Sequence, residues 1–174
     1  MLTSVGNKMI KQYINVFEQA EKHQEEKQMK LICYACENDE VPFLEYMEKY
    51  KLESTDSDFE VEQKVKHILH IKDVLIYLRQ HKGSYNISMT EQYKGREIGI
   101  LKIQESDVLV RIGFYTKVGK EIILLDAFDK AKKYGNKAKG KEVNKMIQEA
   151  LDTFEAYKDD YLKNRKFVPI PFEV

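Results

Sequence analysis

From Tyr85 to Phe128 the chain offers four strand-like runs whose separating breaks are three or four residues long, and no other feature limits its fold as much. Tyr85, Ile87 and Met89 alternate with polar residues. Ile98, Ile100, Leu101 and Ile103 follow, then Leu109 to Tyr115, then Ile122 to Phe128. The breaks are Lys94-Gly95-Arg96, Glu105-Ser106-Asp107 and Lys117-Val118-Gly119-Lys120, lengths and residue types that close hairpins. Parallel neighbours need a crossover of about a dozen residues or more, so runs this close together pair antiparallel.

Upstream, the apolar period becomes that of a helix. Val5, Met9, Tyr13, Val16, Phe17 and Ala20 predict an amphipathic helix over about residues 4–28. Met29 to Cys36 is a short apolar run, expected as a strand. After the turn Asn38-Asp39-Glu40, Pro42 suits the first turn of a short helix ending near Lys51. The polar loop Ser54-Thr55-Asp56-Ser57-Asp58 holds N-cap residues, and Val61, Val65, Ile68, Ile71, Leu75 and Leu78 mark a longer helix behind it. Past the strands, Val143, Ile147, Ala150, Phe154, Tyr157 and Tyr161 mark a last helix. A tail with Pro169 and Pro171 closes the chain.

Helices, then strands, then a helix describe an α+β domain. The expected architecture is an antiparallel curved meander sheet packed with helices on one face, with an extra N-terminal helix. Its parts are the extension over 1–28, one domain over 29–163 and a tail over 164–174. A chain of 174 residues, 43% hydrophobic and 33% charged, suffices for one well-buried domain and is short for two. No apolar stretch approaches the roughly 20 residues of a membrane span, and the polar segment Met1 to Glu26 has no secretory-signal pattern.

The formal net charge is zero, but its distribution is uneven. Residues 1–93 carry 12 Lys/Arg against 16 Asp/Glu, residues 94–145 carry 13 against 7, and residues 146–174 carry 4 against 6. A basic central block favours a polyanion or an acidic protein as partner. Cys33 and Cys36 are spaced C-x-x-C, but on a strand positions three apart face opposite sides, and no further ligand pair follows. They read as structural thiols of a reducing compartment, so a cytoplasmic protein is expected. His67 and His70 are three apart on one predicted helix and read as surface residues. No nucleotide-binding loop, nucleophile elbow or zinc-protease motif is present in the sequence.

The chemistry-bearing residues lie in the second half. Arg111 interrupts the apolar run Leu109 to Tyr115. Either it points to solvent from a half-buried sheet, or a rigid strand fixes its guanidinium for two parallel hydrogen bonds to a phosphate. Residues 129–145 contain seven lysines and two acids. Lysines crowded before a helix oppose its dipole, and neutralising phosphates is one reason to keep them there. Tyr134 lies among them and could stack on a base or donate a proton.

The segment from about Leu101 to Ala150 resembles the RelE/HigB-type toxins of bacterial toxin–antitoxin pairs, in the RelE/ParE superfamily. The resemblance is carried by Leu101-Lys102, Val110-Arg111-Ile112, Ile122 to Leu125 and Phe128 to Lys133, with Glu142-Val143 and Ala150 in the helix that follows. Glu40-Val41-Pro42-Phe43-Leu44 is similar to the first-helix entry of the same family. The resemblance implies a ribosome-dependent mRNA endonuclease in residues 29–163, held by a cognate antitoxin. It works without metal or other cofactor, the 2′-hydroxyl attacking its adjacent phosphate. The catalytic residues it implies are Arg111, Lys130, Lys133 and Tyr134, and the RNA-binding ones Lys102, Lys132, Lys137 and Lys139. Lys102 takes the place of a family arginine. Because the superfamily includes gyrase poisons, the alternative is a non-enzymatic module on the same fold, directed at gyrase or at RNA without cleavage.

Overall fold

A computed structural model describes Gln19 and residues 29–104, 108–131 and 137–172. Apart from Gln19, which is helical, the helix expected over residues 4–28 lies outside the described residues, as do Lys132, Lys133 and Tyr134.

The short breaks do fold consecutive strands back on one another. Strands β2 (Thr90–Glu91), β3 (Gly99–Gln104), β4 (Val108–Lys117) and β5 (Glu121–Ala131) are antiparallel neighbours in chain order. Gly119 takes the positive φ of 72° that the β4–β5 turn requires. Strand β1 (Lys30–Tyr34) lies parallel to β5, and β6 (Phe167–Pro169) lies antiparallel to β1. Among the described residues the sheet therefore has six strands, in the order β2-β3-β4-β5-β1-β6, and is antiparallel except at one pairing. The parallel pairing is possible because the long excursion between β1 and β5 supplies the crossover.

That excursion contains α1 (Pro42–Met47), a 3-10 turn (Glu48–Tyr50) and α2 (Asp58–Gln80). Ser57 caps α2 reciprocally with Glu60: the Glu60 N–H donates to Ser57 Oγ at 3.4 Å, and the Ser57 N–H donates to Glu60 Oε2 at 2.8 Å. The last helix, α3 (Lys137–Asn164), follows β5.

Two expectations are corrected. Helices cover both faces of the sheet rather than one. Leu101, Ile103, Val110, Ile112, Ile122 and Leu124 pack with Phe43 and with Ile71, Val74, Leu75 and Leu78 of α2. Ile32, Tyr34, Ile98, Ile100, Ile123 and Leu125 pack with Ile147, Leu151, Phe154 and Tyr161 of α3. The physical reason is visible in the continuous apolar runs 31–35 and 122–125, because a strand buried on both sides has no polar alternation. Second, Tyr85, Ile87 and Met89 form no strand. They lie against the α2-side core, in a turn where Thr90 Oγ1 both accepts from the Ile87 N–H and donates to the Ile87 carbonyl, each at 3.1 Å. Within the tail, Phe167–Pro169 forms an edge strand, where a proline is tolerated.

A β-bulge interrupts the β4–β5 ladder. Gly113 pairs with Asp126 and Phe114 with Leu124, so Leu125 is the extra residue. Before the bulge Ile123 and Leu125 face α3; after it Phe128 does, and Ala127 turns to the α2 side.

Helix α3 is pinned to the β2–β3 connection by charge. Arg96 pairs with Asp152 at 2.6 Å and with Glu155, and the buried Lys158 pairs with Glu97 at 2.8 Å. Among the described residues no helix is long and apolar enough to cross a membrane.

Candidate nucleic-acid interface

Antiparallel register decides which of the sequence-predicted residues meet. Lys102 on β3 is the partner of Arg111 on β4, and Arg111 is the partner of Phe128 on β5. In the next row toward the strand ends, Gln104 opposes Leu109 and Leu109 opposes Lys130. Side chains two apart on a strand share a face, so Lys102, Arg111, Phe128 and Lys130 all lie on the α3 side. Two contacts fix that side independently: a side chain at Gly113 would run into the Phe154 ring, and the Phe128 and Phe154 ring centroids are 6.0 Å apart.

The bulge is what assembles the row. An uninterrupted β5 would continue the parity of Ile123 and Leu125 and turn Phe128 and Lys130 to the α2 side. With one residue inserted, both join Arg111. The backbone of Lys137 and Lys139 stands in the first turn of α3, a turn without acidic residues.

Arg111 is 9% exposed, with Nη1 3.5 Å from the Val110 carbonyl. It is neither a solvent-facing arginine nor one displayed on an open concave sheet, because α3 covers this face. Lys102 and Lys130 are partly exposed and form the accessible part of the row.

Two aspartates of β5 behave differently from one another. Asp129 turns to the α2 side, where the Tyr46 hydroxyl donates to Oδ1 at 2.7 Å and Lys49 Nζ to Oδ2 at 2.6 Å. Its charge is thereby balanced away from the basic row. Burial pushes the Tyr46 hydroxyl well above the usual tyrosine range, so it stays a donor. Asp126 lies in the row beyond Phe128, with Oδ1 accepting from the Ala127 N–H at 2.7 Å. Burial, with a smaller contribution from Glu45, raises its carboxyl above the ordinary aspartate range.

Phe128 and Asp126 are the site residues that sequence reasoning did not single out. Phe128 carried a signal, an aromatic next to a lysine run at a strand end; Asp126 is legible as an acid close to that run, but the side it faces depends on the bulge. The two cysteines separate as the strand geometry predicted. Cys33 is buried in the α2-side core and Cys36 packs against the α3-side core, both free. Among the described residues no group of three or more His, Cys, Asp or Glu is placed to hold a metal ion.

Compared with protein-family models, curated proteins and solved structures, the chain matches none.

Proposed function

We propose that the chain is the toxin of a toxin–antitoxin pair, an endonuclease that cuts mRNA on the ribosome. The observation that carries the reading is the row Lys102–Arg111–Phe128, with Lys130 in the adjacent row. It concentrates three cations and an aromatic ring on one face of a rigid sheet, at the end where the lysine-rich segment enters α3. Cations aimed at a phosphate and a ring for stacking are what an RNA strand needs.

In the proposed reaction the ribose 2′-oxygen forms a bond to its adjacent phosphorus and loses its proton. The bond from phosphorus to the 5′-oxygen breaks, and that oxygen takes up a proton. The products are a 2′,3′-cyclic phosphate and a 5′-hydroxyl. Arg111 stabilises the extra negative charge on the phosphorane. Lys130 and Lys133 add charge and proton transfer, Tyr134 stacks or donates, and Lys102, Lys132, Lys137 and Lys139 hold the backbone. A cognate antitoxin covers this surface in the resting cell.

One observation favours the second reading, a binding module that holds RNA or a protein without cutting: Arg111 is 9% exposed. The test is induced expression of wild type and Arg111→Ala, with translated messages mapped by primer extension within minutes. Growth arrest with new 5′ ends, both lost in the variant, supports the nuclease. Arrest without new ends supports the binding module. No arrest from a folded, abundant protein removes both toxin readings.

A further inference from the structure

On the opposite side of the sheet from Lys102 and Arg111, a pocket of about 370 Å³ opens between the 3-10 turn, the start of α2 and the end of β5. Its size falls within the roughly 300–1,000 Å³ of small-ligand pockets. Three rings line it. Tyr50 is the buried one, and its centroid is 5.4 Å from that of His67. Phe59 is 69% exposed, although it stands in the first turn of a 23-residue helix. A ring that bare gains nothing for the fold and offers one flat apolar wall.

The charges around this pocket are biased. Both lining lysines are already balanced, Lys49 by Asp129 at 2.6 Å and Lys64 by Asp56 at 2.7 Å. Glu60 is a lining residue as well. Hydrogen bonds from the Ser57 N–H and hydroxyl hold its carboxyl below the ordinary glutamate range, so it is ionised at neutral pH. Asp58 and Glu62, also exposed, stand on the face of the helix turned away from these lining residues. With both lysines paired, Glu60 is the lining charge left over, and the walls beside it are aromatic. That charge disfavours a phosphate or carboxylate and favours a ring carrying a positive charge, with the exposed face of Phe59 beside it; the Tyr50 ring already has Lys49 Nζ 5.0 Å from its centroid.

We infer that this pocket binds an aromatic ring joined by a short chain to a cationic group. Phe59, Tyr50 and His67 hold the ring and Glu60 faces the cation. Such a ligand is either a free aromatic amine or an aromatic side chain beside a lysine or arginine in a partner polypeptide. The inference is independent of the nuclease reading, since it uses none of the residues of the basic row.

The test is titration of the full chain, followed by NMR, with tryptamine and with indole-3-acetate, which share a ring and differ in charge. Tryptamine is expected to shift the signals of Tyr50, Phe59 and His67 and to bind at least tenfold more tightly than the acetate. Phe59→Ser should abolish those shifts. Because Phe59 is exposed, that variant should melt like the wild type. Glu60→Gln, which keeps a side chain suited to the cap, should narrow the gap between the two probes. The peptide acetyl-Lys-Trp-Lys-amide assigns the source: tighter binding than tryptamine points to a polypeptide, weaker binding to a free amine. Equal affinity for the two indoles, preference for the acetate, or shifts confined to other parts of the chain would each overturn the inference.

Discussion

Lys102 and Arg111 are direct register partners on adjacent antiparallel strands, two cations opposed on the face of the sheet that α3 covers. Like charges placed opposite one another destabilise a strand pair. The Lys102→Ala protein is therefore expected to keep or slightly raise its urea midpoint while losing RNA retention on filters, with a shallower salt dependence. A lowered midpoint with unchanged RNA retention would assign Lys102 to the fold instead.

The close approach of β4 to α3 gives a second expectation. Gly113 lies directly under the Phe154 ring, leaving no room for a side chain. Gly113→Ala should destabilise the protein by about 1–3 kcal/mol, the usual cost of overpacking a core. Adding Phe154→Leu to that variant should recover part of the loss in the same urea measurement. Two independent, additive losses would mean that the ring and the strand are not in contact in solution.

How far the sequence could be read follows from these same residues. Hairpin breaks are local chemistry, and so is the N-cap of α2; a few neighbouring residues specify each. The strands β3, β4 and β5 and the long helices were legible for that reason. Coverage of both faces was written in the unbroken run Ile122 to Leu125, where alternation is missing, but the single-sided reading passed over it. The bulge at Leu125 had no local signature: it is set by how β4 and β5 fit between two helix layers. It nevertheless decides that Phe128 and Lys130 join Arg111. Arg111 was legible as the odd residue in an apolar strand, and its burial was not, since that depends on α3 some thirty residues further on.

The C-x-x-C pair offers a chemical check on strand geometry. Burial pushes the Cys33 thiol up to about 12, and it lies wholly within the α2-side core. A thiol so protonated and enclosed does not attack alkylating agents. Iodoacetamide at pH 8 is expected to label Cys36 alone in the native protein, and both cysteines after unfolding in urea. Mild oxidation should leave the two unlinked. An intramolecular disulfide seen by mass spectrometry under native conditions would contradict the placement of these residues on opposite sides of the sheet.

Asp126 gives the prediction that ties stability to the site. Its folded-state carboxyl is raised above the ordinary aspartate value of about 3.9, chiefly by burial. A raised acid stabilises the folded state only while it stays protonated. Its contribution is complete below the unfolded value and is lost as pH rises through the folded one. Asp126→Asn keeps an oxygen to accept from the Ala127 N–H and removes the titration. Relative to the wild type, the variant should therefore gain stability steadily as pH is raised from about 4 through the folded value of Asp126, and the gap should then stay constant. Urea midpoints of both proteins across that range measure it directly, and a difference that does not change with pH would show that Asp126 titrates as an exposed aspartate does. The same substitution removes negative charge two positions from Phe128 on the shared face. RNA retention at neutral pH should accordingly rise in Asp126→Asn, whereas a purely structural carboxylate would leave it unchanged.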